Sequence, residues 1–339
     1  MRLSLALQHR SSALVANYRH LQLRAATATG AAIKADAYGL GVKDVAKLLL
    51  DAGCRDFFVS TWWEAAELDF LPPGTLVVLH GFGSEDEVQP GVRPVLVTPQ
   101  QVARWKASTF ADEPCDVMVD TGMNRLGLGT KELGCLEGLS IHTLHSHLAC
   151  ADDDDALNRM QLERFLAVQQ VVRAGRYSLA NSAGIYLGSE FAFDLVRPGL
   201  ALYGGIPRAE ARGEIRQVTT PTARILQMRS VPAGESVGYN ATFVAPRDMR
   251  VAVINIGYAD GYRRAFSSIG SARADDQTLP VIGRVSMDLV TLDATDAPQL
   301  AEGDWVELSF DLEEAAAQTG ISQYELLTGL GRRFQRSWI

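Results

Sequence analysis

Eight short runs of apolar and β-branched residues alternate with helix-like segments over residues 28 to 204, and this alternation restricts the possible folds. The intervening segments carry apolar residues at helical spacing. Eight strand and helix repeats predict an N-terminal (β/α)8 TIM-type barrel of the α/β class, with a doubly wound open sheet as the alternative. The runs are 28–33, 57–60, 75–80, 94–97, 115–119, 141–147, 177–180 and 194–196, and three of the helical segments are 42–51, 99–108 and 158–174.

The pattern changes after about residue 214, where alternating segments are separated by glycine and proline turns. This sequence pattern is typical of antiparallel strands. We therefore expect residues 1–213 to form the barrel and residues 214–339 to form a smaller, mostly antiparallel β domain. The expected strands there are 222–231, 250–256, 279–292 and 304–310, with helices at 312–318 and 322–330.

Composition and charge narrow the class of partner. The net charge is −8, with 40 acidic against 32 basic residues. No basic face stands out, so we expect no nucleic-acid partner. No apolar run is long enough to span a bilayer, and the N-terminal apolar patch is interrupted by Gln8, His9 and Arg10, unlike a signal peptide. The four cysteines are irregularly spaced, which favours a reducing, cytoplasmic setting.

Lys34 ends the first apolar run, just before the glycine-punctuated segment Tyr38-Gly39-Leu40-Gly41. A buried lysine has a lowered pKa, and its free amine can form a Schiff base with a carbonyl compound. The alternative is a strand-end lysine that points into solvent. Spacing alone leaves both interpretations open.

Other polar residues follow later strands of the predicted barrel. In such barrels the carboxyl ends of the strands form one rim that carries the active site. Taken singly, these residues have structural explanations: His147 as a core histidine, Arg197 as part of an ion pair, Asn181 and Ser182 as a helix cap, and Gly199 as a turn glycine. Together they predict a site on one rim, formed by Lys34, Arg125, His147, Asn181, Ser182 and Arg197, with Gly199 just after the last of them.

Two other kinds of chemistry have little support. His142, His145 and His147 alternate faces on one segment, without a carboxylate on the same face at short range, so we expect no metal site. The nucleophile-elbow pattern Gly-x-Ser-x-Gly does not occur, which argues against a serine hydrolase.

The chain resembles the alanine racemases, a family of pyridoxal-phosphate (PLP) enzymes with an N-terminal barrel and a C-terminal β domain. The resemblance covers nearly the whole sequence, and the motifs occur in the family's order. The motifs are residues 34–39 (KADAYG), 120–127 (DTGMNRLG), 145–147 (HSH), 181–183 (NSA), 197–204 (RPGLALYG), 237–239 (VGY), 256–261 (IGYADG) and 283–288 (GRVSMD).

The resemblance implies a cofactor site in the barrel. Lys34 would hold PLP covalently, and Arg197 would bond the pyridine nitrogen. Because arginine cannot accept a proton, that nitrogen would stay unprotonated and the ring would be a weaker electron sink. The cofactor-binding residues implied in this way are Lys34, Tyr38, His147, Asn181, Ser182, Arg197, Gly199, Leu200 and Tyr203.

The resemblance also implies two bases, since racemisation removes a proton from one face of the carbon and returns it to the other. Lys34 would act on D-alanine, and Tyr239 of the partner subunit, assisted by His147, would act on L-alanine. The active site would then be complete only in a homodimer. Arg125 and Met287 would bind the substrate carboxylate, and the entrance residues would be Tyr258, Arg264, Arg284 and Asp288.

This sequence departs from the family pattern at four positions. Leu40 stands where many members have histidine, and Asn124 where many have glycine. Met118 replaces a lysine that is carbamylated in many members and supports the substrate-binding arginine. Arg332 occupies the place of a phosphate-contacting tyrosine.

The expected function is interconversion of L- and D-alanine, which supplies D-alanine for peptidoglycan. Three alternatives share the lysine and the barrel: a racemase of broader specificity or for serine or lysine, a decarboxylase, and a non-catalytic PLP carrier. A decarboxylase of this fold usually has a late cysteine-aspartate pair, whereas this chain has only Ser286-Met287-Asp288. A carrier usually lacks the second domain.

Overall fold

The computed structural model describes residues 4–339. They form two compact units, one of residues 14–216 and one of residues 4–13 with 217–339. The first unit is an α/β unit and the second is mostly β. The boundary between residues 13 and 14 falls within the helix Ser11–Ala25.

The first unit is a parallel barrel. Each strand pairs in parallel with the next along the chain from the first to the seventh. The eighth strand pairs in parallel with Ala28–Thr29. The N–H groups of Asp194 and Arg197 donate to the carbonyls of Tyr177 and Ala180, which connects the seventh and eighth strands and closes the barrel. The predicted (β/α)8 barrel is therefore confirmed. Its strands are Ala28–Thr29 continuing as Ala31–Ala32, Phe57–Val59, Leu76–Val78, Val92–Leu96, Cys115–Met118, Ile141–His145, Arg176–Ser178 and Leu195–Val196.

Three helices of this unit begin after residues whose side chains cap them. Thr61 and Thr98 accept backbone N–H bonds with their hydroxyls, and Pro99 occupies the first helical turn. Asp155 caps the longest barrel helix by accepting from the N–H of Leu157 at 2.7 Å. The α-helices are Ser11–Ala25, Val42–Asp51, Trp62–Ala66, Pro99–Lys106 and Ala156–Val171, and Lys34–Gly39 forms a turn whose residues 35–38 are left-handed.

A buried ionic cluster lies toward the amino ends of the barrel strands. Asp56 precedes the second strand and receives two bonds from Arg176, at 2.5 and 3.0 Å. Arg93 donates through Nε to Asp116 at 3.0 Å. Burying charges is costly unless they are paired and hydrogen-bonded. Because these four side chains are paired, their charges can be buried at the end of the barrel opposite to the rim.

The second unit is built on a mostly antiparallel sheet. Leu5–His9 pairs antiparallel with Thr219–Val231 and parallel with Gln335–Trp338. Residues 4–13 therefore group with the C-terminal unit, although the sequence pattern placed residues 1–213 in the barrel. The other strands are Ser236–Val237, Phe243–Val244, Met249–Ile254, Ser271–Ala274, Gln277–Pro280, Val290–Asp293 and Trp305–Leu308, and the α-helices are Leu312–Thr319 and Gln323–Thr328.

The predicted strand 279–292 is wrong. Gln277–Pro280 and Val290–Asp293 are separate strands, joined by a loop. Gly283 in this loop has a φ of +68°, which an extended strand does not allow. A tight turn follows, in which the N–H of Ser286 donates to the carbonyl of Leu289 at 3.0 Å.

Candidate active site

Lys34 begins an unusual turn at the carboxyl end of the first barrel strand. The next four residues, 35–38, have φ values of 52° to 57°. Each non-glycine residue in this left-handed region costs about 1–2 kcal/mol. The turn is held by Asp36, whose Oδ1 accepts from the N–H of Val42 at 2.8 Å and whose carbonyl accepts from Gly41 at 3.0 Å. The backbone that carries Lys34 is thus fixed at a considerable energetic cost.

Burial lowers the pKa of Lys34, the positive charge of Arg125 lowers it further, and the carboxylate of Glu64 opposes them. A lowered lysine pKa increases the fraction of free amine at neutral pH. The structure thus favours the chemical interpretation of Lys34 over a fully solvated lysine.

His147 lies just after the sixth barrel strand and is half-buried. Burial lowers its pKa to about 3, helped by the positive charges of Arg197, Arg125 and Lys34. The imidazole is therefore neutral at physiological pH. The same interactions show that Lys34, Arg125 and Arg197 lie within electrostatic reach of His147.

Arg197 is buried, and both of its described partners are uncharged. It donates to the hydroxyl of Ser178 and, at 2.6 Å, to the carbonyl of Ser146. Burial lowers the pKa of its guanidinium to about 10. Within residues 4–339 no carboxylate forms an ion pair with Arg197. The alternative that Arg197 belongs to a structural ion pair is therefore wrong.

Ser182 and Gly199 form a cradle of backbone and hydroxyl groups. The Ser182 hydroxyl accepts from the N–H of Gly199 at 2.9 Å and of Ala201 at 3.2 Å. Leu200 lies between these two amides and begins the 3-10 turn Leu200–Tyr203. A Cβ on Gly199 would lie 2.2 Å from the Tyr38 hydroxyl. Glycine is therefore required for this close approach.

Two other residues expected near the cofactor have structural partners. The Tyr203 hydroxyl donates to the carbonyl of Ala32 at 2.8 Å, and its ring lies 4.8 Å from that of Tyr38. The side-chain oxygen of Asn181 accepts from the N–H of Gly184 at 2.9 Å, as expected for a cap. Both contacts hold the cradle in place.

Arg125 is exposed at the end of a loop that its own sequence stabilises. The Asp120 carboxylate accepts from the N–H groups of Gly122 and Met123 at 2.8 and 2.9 Å. Asn124 has a φ of 56°, a conformation that asparagine tolerates better than most residues. Met118 is buried in an apolar cluster that includes Phe58, Val77, Val95, Val97 and Leu195.

Sequence reasoning missed Gln161, a fully buried residue of the helix Ala156–Val171. Its amide nitrogen donates to the carbonyl of His147 at 2.9 Å and to the hydroxyl of Thr121 at 3.3 Å. Its amide oxygen accepts from the N–H of Ala149 at 2.9 Å. Gln161 thus ties together the loops that carry Arg125 and His147. Its burial inside a helical pattern gave no sign of this role.

The remaining predicted site residues lie in the mostly β unit. Tyr239 begins the turn Tyr239–Ala241 and is 65% exposed. Met287 is 54% exposed, and its carbonyl accepts from the N–H of Ala259 at 3.1 Å. Tyr239 and Met287 thus present accessible side chains on the surface of their unit.

The predicted entrance residues have contacts in the same unit. The Arg264 guanidinium lies 5.6 Å from the ring centre of Tyr258, and Arg284 is exposed. Arg333, which the sequence did not single out, donates to Asp288 at 2.7 Å and to the buried Asp260 at 2.6 and 2.8 Å. Asp288 is therefore fixed by an arginine far along the chain.

Comparisons with known proteins match both parts of the chain. Residues 10–207 match the family model "Alanine racemase, N-terminal domain", and residues 218–338 match "Alanine racemase, C-terminal domain". An alanine racemase of Acidiphilium cryptum is 42% identical, with 96% of each chain covered. A biosynthetic alanine racemase of Agrobacterium fabrum is 39% identical, over 96% of this chain and 92% of the relative.

Solved structures agree. The crystal structure of alanine racemase from Bartonella henselae, which contains covalently bound pyridoxal phosphate, has a TM-score of 0.91 and 38% identity, and all of both chains is covered. The biosynthetic alanine racemase of Pseudomonas aeruginosa has a TM-score of 0.89 and 32% identity, again over both whole chains. The chain belongs to the alanine racemase family, a family of isomerases.

Proposed function

We propose that the protein interconverts L-alanine and D-alanine with PLP as cofactor, using Lys34 and Tyr239 as its two bases. The carrying observation is the gathering of Lys34, His147, Arg125 and Arg197 on one rim of the barrel, with the pKa of Lys34 lowered by burial and by Arg125. Family membership supports the reaction type.

The residues present fit PLP. Arg197 is a buried donor with only neutral partners in the described chain, which suits a neutral acceptor such as a pyridine nitrogen. The hydroxyls of Ser182 and Tyr38, which both lie beside Gly199, suit a phosphate group. Lys34, with its lowered pKa, suits a covalent bond to an aldehyde.

When bound, PLP withdraws electrons from the α-carbon of the attached amino acid and makes its proton removable. Lys34 would accept that proton from D-alanine, and return one when L-alanine reacts. Tyr239 would do the same on the opposite face. His147, held neutral by burial and by its three cationic neighbours, can accept a hydrogen bond from a phenol and so assist Tyr239.

Substrate binding would involve Arg125 and the Met287 backbone, which would hold the carboxylate. Tyr258, Arg264, Arg284 and Asp288 would line the entrance. Tyr239 would come from the partner subunit, so we propose a homodimer with shared active sites. The 65% exposure of the Tyr239 side chain in this single chain supports a role toward another molecule.

The product D-alanine would be used for peptidoglycan. We place the reaction in the cytoplasm, because all four cysteines are free thiols, as is usual in a reducing compartment. No helix within residues 4–339 is long and apolar enough to cross a bilayer.

The test is racemisation followed by chiral chromatography, with alanine, serine and lysine enantiomers as substrates. We expect alanine to be preferred, Lys34→Ala to be inactive, and borohydride to trap PLP only when Lys34 is present. Preference for another amino acid would overturn the substrate assignment. Full activity of Lys34→Ala would overturn the role of the lysine.

Mixing two inactive variants tests the shared site. In a dimer of Lys34→Ala and Tyr239→Phe subunits, one site carries both changes and the other carries neither. Random reassociation should then restore about a quarter of wild-type activity, since half of the dimers are hybrids with one intact site. If no activity returns although hybrids form, Tyr239 does not act across subunits.

A further inference from the structure

Glu64 links the end of the second barrel strand to the turn that follows Lys34. Its Oε1 accepts from the N–H of Ala35 at 2.6 Å. Its Oε2 accepts from the N–H of Ser60 at 2.6 Å and of Thr61 at 3.1 Å. One carboxylate therefore holds three backbone amides from two strand ends.

A capping box alone does not account for these contacts. Glu64 and Thr61 form such a box, in which Oε2 binds the Thr61 N–H and the Glu64 N–H binds the Thr61 hydroxyl at 3.2 Å. The bond from Ala35 is additional, and it spans 29 residues of sequence. In the second unit, the carboxylate of the matching Ser322–Glu325 box accepts bonds from Ser322.

The Ala35 amide is the entry to the left-handed turn. Ala35 is the first of the four residues with positive φ, and it directly follows Lys34. A turn of this kind persists only when its surroundings fix it. Holding the Ala35 N–H therefore fixes the peptide plane from which Lys34 projects.

Glu64 also acts on the charge of Lys34. Its carboxylate opposes the lowering of the Lys34 pKa that burial and Arg125 cause. The hydrogen bond thus acts on the backbone of Ala35, and the charge acts on the side chain of Lys34, the residue before it.

We propose that Glu64 is the positioning residue for Lys34, fixing the direction of the lysine side chain through the Ala35 amide and balancing the positive charge of Arg125. The assignment of a reactive Lys34 rests on the proposed function. The proposed contact with Ala35 can be tested without it.

Four full-length proteins separate the effects. Glu64→Gln removes the charge and leaves one acceptor oxygen for amides on both sides. Glu64→Asp keeps the charge but is too short to reach both sides. Thr61→Ala removes the other half of the capping box and leaves the Ala35 contact intact. Wild type is the fourth, and thermal unfolding checks that all are folded.

Two measurements on each protein, made after PLP has been removed with hydroxylamine, need no turnover. Hydrogen exchange with mass spectrometry follows the amides of residues 33–40. Acylation of Lys34 by acetic anhydride across a pH series gives the lysine pKa. PLP affinity and kcat are measured afterwards by absorbance and by chiral chromatography.

We expect exchange in residues 33–40 to be about tenfold faster in Glu64→Gln and Glu64→Asp, since each loses a hydrogen bond to a charged group. The pKa of Lys34 should fall further in Glu64→Gln only. PLP affinity and kcat should fall in Glu64→Gln and stay near wild type in Thr61→Ala.

If hydrogen exchange in residues 33–40 and acylation of Lys34 were unchanged from wild type in Glu64→Gln, the proposal would be overturned. Equal changes in Thr61→Ala would also overturn it, because Glu64 would then act only as a helix cap. If the wild-type chain takes up no PLP, the proposed function fails, while exchange and acylation still decide the role of Glu64.

Discussion

The hydroxyl of Tyr38 lies where a side chain on Gly199 would begin, since a Cβ there would be 2.2 Å from that oxygen. Tyr38 ends the left-handed turn after Lys34, and Gly199 follows the last barrel strand. The segments that follow the first and the last barrel strands therefore meet at this contact. Predictions about cofactor binding follow from this contact.

Gly199→Ala should weaken PLP binding by at least tenfold, because the added methyl must displace the Tyr38 hydroxyl or the amide beside Ser182. Binding is measured by absorbance titration of protein freed of PLP. Gly134→Ala is the matched control, since no atom lies within 4 Å of its Cβ position. Unchanged affinity in Gly199→Ala would show that this contact does not serve the cofactor.

Gln161→Leu should lower both stability and catalysis. The substitution leaves the His147 carbonyl and the Ala149 N–H without their buried partner, and each unpaired group costs about 1–3 kcal/mol. Because the loops carrying His147 and Arg125 loosen together, we expect a raised KM for alanine as well as a lower kcat. Denaturant unfolding and steady-state kinetics measure these effects.

The exposed Gln170 lies on the same helix, so Gln170→Leu is the control and should change little. A stable Gln161→Leu protein with normal kinetics would disprove the bridging role of Gln161.

Met118→Lys should destabilise the barrel by several kcal/mol, because the substitution places an ammonium in an apolar cluster. Met118→Leu conserves volume and should cost less than about 1.5 kcal/mol. Chemical denaturation compares the two. Because a thioether cannot form a carbamate, we also expect wild-type turnover to be independent of added bicarbonate, and a clear dependence would mean that another residue is carbamylated.

His9 should make the protein sensitive to acid. Its ring is fully buried, 4.9 Å from that of Trp338, and within residues 4–339 neither ring nitrogen has a hydrogen-bond partner. Burial, with a smaller contribution from Arg336, lowers its pKa from 6.5 to about 4. The unfolded chain therefore takes up a proton near pH 6.5, where the folded chain does not.

This stabilising contribution is complete above pH 6.5 and is lost as the pH falls toward 4. By pH 5 the loss is about 2 kcal/mol. His9→Phe should remove that part of the pH dependence, measured as the free energy of unfolding at pH 7.5 and pH 5. A parallel pH dependence in wild type and His9→Phe would refute this, and substitution of the exposed His80 is the control.

Much of the barrel could be predicted because its signals are local. The helix expected at 42–51 is Val42–Asp51, with Val42, Val45, Ala46 and Leu49 buried on one face. Each of the eight apolar runs contains or overlaps a barrel strand. The strand expected at 279–292 failed because its apolar residues continue on both sides of the turn that Gly283 permits.

The sequence by itself determined the order of strands and helices, and it predicted that polar strand ends, Lys34 among them, collect on one rim. Those properties depend on neighbouring residues and on the rule that parallel strands share one carboxyl edge. Only the tertiary structure decided that Glu64 holds Ala35, that Gln161 bridges two loops, and that Leu5–His9 pairs with Thr219–Val231. Such contacts join residues far apart in the chain, whose distance is set by the closed fold and leaves no periodic trace in the sequence.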